Sequence, residues 1–134
     1  MMDLRVIDSQ PFIATKQGKR DIFQPPAEVI RAAQKRITDA KTMLVSLAVS
    51  RAEQQARLED VLIGGGSTKG ARKELQTITE LEADQVREID DALRDIAEVE
   101  RLIDDHRAEQ IEQVDIATLV ALCKPLDDFL KENQ

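Results

Sequence analysis

The placement of helix breakers limits this chain more than any other feature. Gly and Pro occur only at Pro11, Gly18, Pro25-Pro26, Gly64-Gly65-Gly66, Gly70 and Pro125. Between them lie two uninterrupted runs, 27–63 and 71–124, rich in residues that lose little side-chain freedom in a helix. Each run predicts a long helix. Pro26 suits the first helical position, and Glu28 stands in the first turn, where the helix dipole favours an anion. The glycines of 64–70 end the first run and turn the chain.

Both runs carry apolar residues at alternating steps of three and four, the spacing of a coiled-coil seam. In the first, the row is Ile30, Ala33, Ile37, Ala40, Leu44, Leu47, Arg51, Gln54, Leu58 and Val61. In the second it is Leu75, Ile78, Glu82, Gln85, then Val86, Ile89, Leu93, Ile96, Glu100 and Ile103, the extra residue after Gln85 resetting the row as a stutter does. Folding the chain between Gly66 and Ser67 sets these rows in mirror positions: Ile30 with Ile103, Ile37 with Ile96, Ala40 with Leu93, Leu44 with Ile89, Leu47 with Val86, Arg51 with Glu82 and Leu58 with Leu75. Rows and glycine turn thus point to one antiparallel hairpin. Arg51 and Glu82 are expected to form an ion pair in the seam that fixes its register.

Composition agrees with narrow helix-on-helix packing. Apolar residues make up 42% of the 134, yet the only aromatics are Phe12, Phe23 and Phe129. Leu, Ile, Val, Ala and Met must therefore fill the interior, and any ring-filled core is expected at the hairpin's base. No run approaches the roughly 18 apolar residues of a membrane span, so no membrane partner is expected. The N-terminus lacks the basic-then-apolar order of a secretory signal, and a single cysteine, Cys123, can form no internal disulfide. These traits suit a reducing cytoplasm. Cys123 itself reads as a small buried hydrophobe.

The predicted fold is mainly α: a coiled-coil-like antiparallel helical hairpin over 25–111 with its tip at 64–70, and a C-terminal helix over 112–134 packed at its base. Asp115 offers a cap for that helix, with Val114 and Leu119 bracketing it, although one helix continuous through 124 also satisfies the pattern. Its apolar residues Ile116, Leu119, Val120, Leu122, Cys123, Leu126, Phe129 and Leu130 are expected to fold back over the hairpin's base. Segment 1–24 forms either two or three short strands or an extended arm, from the apolar stretches 4–7, 12–15 and 22–23.

Charge is uneven. Residues 1–57 hold ten Lys or Arg against six Asp or Glu, and residues 58–134 nine against twenty. The halves should attract each other. A net charge of −7 argues against general binding to a phosphate backbone. On the outer side of the second helix Asp84, Arg87, Asp91, Arg94, Glu98, Arg101 and Asp105 alternate in sign at steps of three and four, which pairs neighbours along a solvated face. At the tip Lys69, Arg72 and Lys73 open the second helix, where its dipole disfavours cations. Glu59 and Asp60, at mirror positions, are the expected compensation; an acidic partner at the tip is the other reading. The tip is no phosphate-binding loop, because Lys69 precedes Gly70 and the flanking run is helical rather than a strand.

No residues are assigned to catalysis, a cofactor or a metal. His106 is the only histidine, and metal-binding bundles need paired motifs on two helices. The stretch Met43 to Val49, by contrast, is apolar on nearly every side and must be covered on nearly every side. Met43, Val45, Ala48 and Val49 are therefore candidate oligomer-interface residues, most simply in a homodimer whose hairpins form a four-helix bundle. The expected function is non-enzymatic: an oligomeric hairpin acting on a protein partner as adaptor, assembly factor or chaperone-like clamp. The alternative is an accessory subunit of a nucleic-acid complex, contacting it through the basic tip and residues 16–20.

Overall fold

A computed structural model describes residues 2–132, with side chains described for 2–125 and 131. Three strands precede two long helices: β1 (Asp3–Ile7), β2 (Gln10–Gln17), β3 (Arg20–Gln24), α1 (Pro26–Gly64) and α2 (Lys69–Glu132). The chain divides into two compact units, one formed by Met1–Pro26 with Glu98–Gln134, the other by Ala27–Ala97.

The strands make an antiparallel sheet in the order β1-β2-β3. The three apolar stretches of 1–24 each became a strand because tight turns separate them. Ile7 pairs with Gln10 around Asp8 and Ser9, both at positive φ, as a two-residue hairpin of matching twist requires. Gln17 pairs with Arg20 around Gly18, whose φ of 61° glycine adopts without penalty. The interior of this unit is aliphatic: Ile13 and Val99 are fully buried, Phe12 is half-buried and Phe23 is exposed. The expected core of rings is thus absent from Phe12 and Phe23, and the Phe129 side chain lies outside the described residues. Across the other face of the sheet the Arg5 guanidinium stands 5.9 Å from the centre of the Phe23 ring. Ala14, on the strand between them, is small enough to be covered by both.

The Ala27–Ala97 unit is the antiparallel helical hairpin. All ten residues of the α1 row, Ile30 through Val61, are buried or half-buried. Gly65 ends α1 at φ 75°, and the Gly66 N–H donates to the Val61 carbonyl at 3.0 Å. This is a Schellman closure, in which a left-handed residue lets the chain satisfy carbonyls that the helix end leaves open. A Cβ on Gly66 would meet the Val61 side chain at 3.3 Å.

The α2 row differs from expectation in one respect. Its shielded residues are Ala71, Leu75, Ile78, Glu82, Gln85, Ile89, Ala92 and Ile96, with no extra residue after Gln85. Val86 and Leu93, placed in the seam by their hydrophobicity, are half exposed, while Ala92 is fully buried. Farther along α2 the same shift buries Val99 and leaves Glu100 exposed. An unbroken three-four spacing needs no local unwinding. Between the arms, Arg36 reaches Glu88 and Asp95, and Arg51 reaches Glu82 and Thr79. Small side chains are buried on both arms, Ala33 and Ala40 on α1 and Ala92 on α2, and side chains of this size allow a short interaxial distance.

The break expected at 112–115 is absent. Helix α2 continues through Glu112-Gln113-Val114-Asp115 and through Pro125 to Glu132. No Gly or Pro interrupts that tetrapeptide, so backbone bonds of the helix prevail over an Asp115 cap. With no turn there, the chain has nowhere to double back. Ile111, Val114, Ile116, Leu119, Val120 and Leu122 are each more than half exposed, and Cys123 is exposed instead of buried. The side chains of Leu126 and Leu130, like that of Phe129, lie outside the described residues.

Candidate functional site

The candidate interface residues divide by helix geometry. On α1, Lys35, Thr38, Thr42, Val45, Val49, Ala52, Ala56 and Glu59 follow a second three-four spacing on the side turned away from the seam, and all are exposed. Val45 is 67% and Val49 57% exposed. Ala48 lies on the flank between this outer row and α2 and is also exposed. Met43, 48% exposed, belongs to the opposite flank, beside the seam position of Leu44.

Ion pairs identify the two flanks. Arg36 Nε donates to Glu88 Oε1 at 2.7 Å, and its Nη1 donates to Asp95 Oδ2 at 2.8 Å. One guanidinium thereby joins α1 to carboxylates two turns apart on α2. Its hydrogen bonds hold the Glu88 carboxyl below the usual range and raise the Arg36 guanidinium above its own. In heptad terms Arg36, Met43, Glu88 and Asp95 share one flank of the hairpin. The other flank carries Ala48 of α1 and Val86 and Leu93 of α2, each of the latter 51% exposed. Sequence reasoning missed the Arg36 clamp because Arg36 lies beside the seam. The signal was present in Glu88 and Asp95, seven residues apart on one helical face.

With Val45, Val49 and Ala52, all exposed, the second flank adds to a run of exposed apolar side chains, a feature of interaction sites. This surface and the charged flank are opposite sides of the same hairpin.

At the register position, Arg51 Nε donates to Glu82 Oε1 at 3.0 Å, its Nη2 reaches the same oxygen, and Nη2 also donates to Thr79 Oγ1 at 2.9 Å. The predicted pair exists, with side chains 31% and 30% exposed. It is half-buried and open to water at its edge.

The tip cations Lys69, Arg72 and Lys73 are all exposed. Among the described residues, no ion pair joins them to Glu59 or Asp60, contrary to the expected compensation. Glu59 and Asp60 follow the seam residue Leu58 by one and two positions, which turns them away from α2. Ser67 contributes to the helix start instead, its Oγ accepting from the Lys69 N–H at 3.4 Å.

The alternating charges pair as predicted. Arg87 meets Asp84 at 3.4 Å, Arg94 meets Asp91 at 3.8 Å, and Arg101 meets Glu98 at 2.6 Å and Asp105 at 3.0 Å. The Arg101 bond lowers the Glu98 carboxyl below its ordinary range. In the other unit a groove between β1 and α2 is lined by Asp3, Leu4, Arg5, Leu102, Asp105 and His106, among others. His106 is half-buried there. Among the described residues no helix is long and apolar enough to cross a membrane.

No protein-family model, curated protein or solved structure matches this chain. Function must be argued from its surfaces.

Proposed function

We propose that this protein works without catalysis, as an oligomeric helical-hairpin adaptor, assembly factor or chaperone-like clamp in the cytoplasm. One observation carries the reading: the final part of α2 presents Ile111, Val114, Ile116, Leu119, Val120 and Leu122 at 55% to 68% exposure on one continuous helix. A helix apolar over most of its girth is stable in water only when something covers it. A partner protein laid along 111–122 supplies that cover, and the hairpin supplies a second contact surface. Recognition of this kind is helix-in-groove binding, with apolar anchors three and four residues apart.

The test is affinity capture from the source cell with the full chain and with Leu119→Glu/Leu122→Glu. A protein captured in stoichiometric amount by the wild type and lost with the variant supports the reading. Equal capture by both removes the α2 terminus from the contact. Salt-sensitive capture of RNA or DNA, abolished by neutralising Lys69, Arg72 and Lys73, would favour the accessory-subunit alternative instead.

A further inference from the structure

We infer that the outer face of α1 is the seat of a second copy of this chain, docked antiparallel about a two-fold axis level with Leu47. The inference rests on the oligomeric reading above and specifies its geometry.

The outer row of α1 reads Lys35, Thr38, Thr42, Val45, Val49, Ala52, Ala56, Glu59, every member exposed. A two-fold axis at the level of residue 47 maps this row onto itself. Val45 then meets the partner's Val49, Thr42 the partner's Ala52, Thr38 the partner's Ala56, and Lys35 the partner's Glu59. These are the layers of an antiparallel coiled coil, and their chemistry is complementary throughout. The two valines, the largest apolar side chains of the row, come together at the centre. Small residues flank them, and opposite charges close both ends. A parallel pairing would instead stack Lys35 on Lys35 and Glu59 on Glu59, which like-charge repulsion opposes.

The outer row faces away from α2, so α1 lies between α2 and the docked copy, and both copies of α2 stay outside the contact. Val86 and Leu93 remain on the flank of each hairpin, half exposed beside the dimer seam rather than in it. Asp39 and Glu53 fall on the far edge of the row and stay in solvent. The charged flank held by Arg36 also faces outward, since an oligomer built on it would have to desolvate Glu88 and Asp95.

The experiment uses the full chain carrying Cys123→Ser. Thr38→Cys and Ala56→Cys chains are prepared separately, then oxidised alone and as a mixture. The mixture is expected to give disulfide-linked dimers about tenfold faster than either alone, because only the antiparallel dimer sets position 38 against the partner's 56. Sedimentation supplies the second readout: Lys35→Glu weakens the dimer about tenfold, and Lys35→Glu/Glu59→Lys restores it. Circular dichroism confirms that these surface variants keep their helices. Thr38→Cys chains cross-linking alone as fast as the mixture overturn the antiparallel arrangement. A dimer that survives Val45→Glu/Val49→Glu overturns this surface while leaving the oligomer intact. A wild type that sediments as a monomer at tens of micromolar overturns the oligomeric reading itself.

Discussion

Arg51 donates from Nε to Glu82 Oε1 at 3.0 Å across 31 residues of chain, tying the middle of one arm to its mirror position on the other. An apolar seam can slide by a heptad at modest cost, since one Ile or Leu replaces another. A slid register would strand this guanidinium among aliphatic side chains. The pair therefore acts chiefly by selecting register.

Because the pair is half-buried, Arg51→Ala should cost about 1–3 kcal/mol, between the ranges for exposed and fully buried pairs. Urea unfolding of the single variants and of Arg51→Ala/Glu82→Ala measures the coupling as a double-mutant cycle. A coupling indistinguishable from zero would remove the pair from the set of register contacts.

Arg36 holds two carboxylates, so Arg36→Ala should lower the melting temperature by a few degrees, more than Arg87→Ala, whose single partner is on its own helix. Scanning calorimetry of both variants makes the comparison. An Arg87→Ala effect as large as that of Arg36→Ala would contradict the clamp.

Acid should weaken the hairpin through Glu88. Its carboxyl titrates at about 4.5 when the chain is unfolded and lower when folded, owing first to the hydrogen bond from Arg36. The unfolded state thus binds the proton more readily. The stabilisation is fully present above 4.5 and is lost as pH falls through the folded value. Melting temperature measured between pH 6 and pH 3 should fall, with a shallower acid limb in Arg36→Ala. Glu98, lowered by Arg101, adds a second acid-sensitive pair that Arg36→Ala leaves unchanged. Identical acid limbs in wild type and Arg36→Ala would exclude the assignment.

Gly65 occupies a left-handed conformation, so Gly65→Ala should destabilise the hairpin by about 1 kcal/mol, whereas Gly64→Ala, inside α1 with open space at its Cβ, should not. Denaturant midpoints of the two variants test the contrast. Equal midpoints would show that the turn does not depend on the left-handed residue.

Much of this architecture was legible because its determinants are local or periodic. Glycines mark the turn, the α1 row states its own inner face, and mirror positions supply the pairing of Arg51 with Glu82. The α2 row was misread after Gln85, because ranking by hydrophobicity chose Val86 and Leu93 over Ala92. Close packing of helices rewards small volume, and Ala92 fits where Leu93 would hold the arms apart. The end of α2 was misread for a related reason. An apolar segment was expected to find cover within its own chain, while the residues from 112 to 115 contain nothing that turns a helix. The Arg36 clamp was missed since flank positions are identified only once the seam is correct.

The packing of the hairpin rests on the unbroken seam, which buries Ala92 and leaves Val86 and Leu93 half exposed. Disulfide trapping tests it most directly, in the Cys123→Ser background. Ala40→Cys/Ala92→Cys and Ala40→Cys/Leu93→Cys chains are oxidised under identical mild conditions and scored for intrachain bonds. The unbroken seam predicts rapid closure for positions 40 and 92, with little for 40 and 93. Preferential closure between 40 and 93 would contradict it.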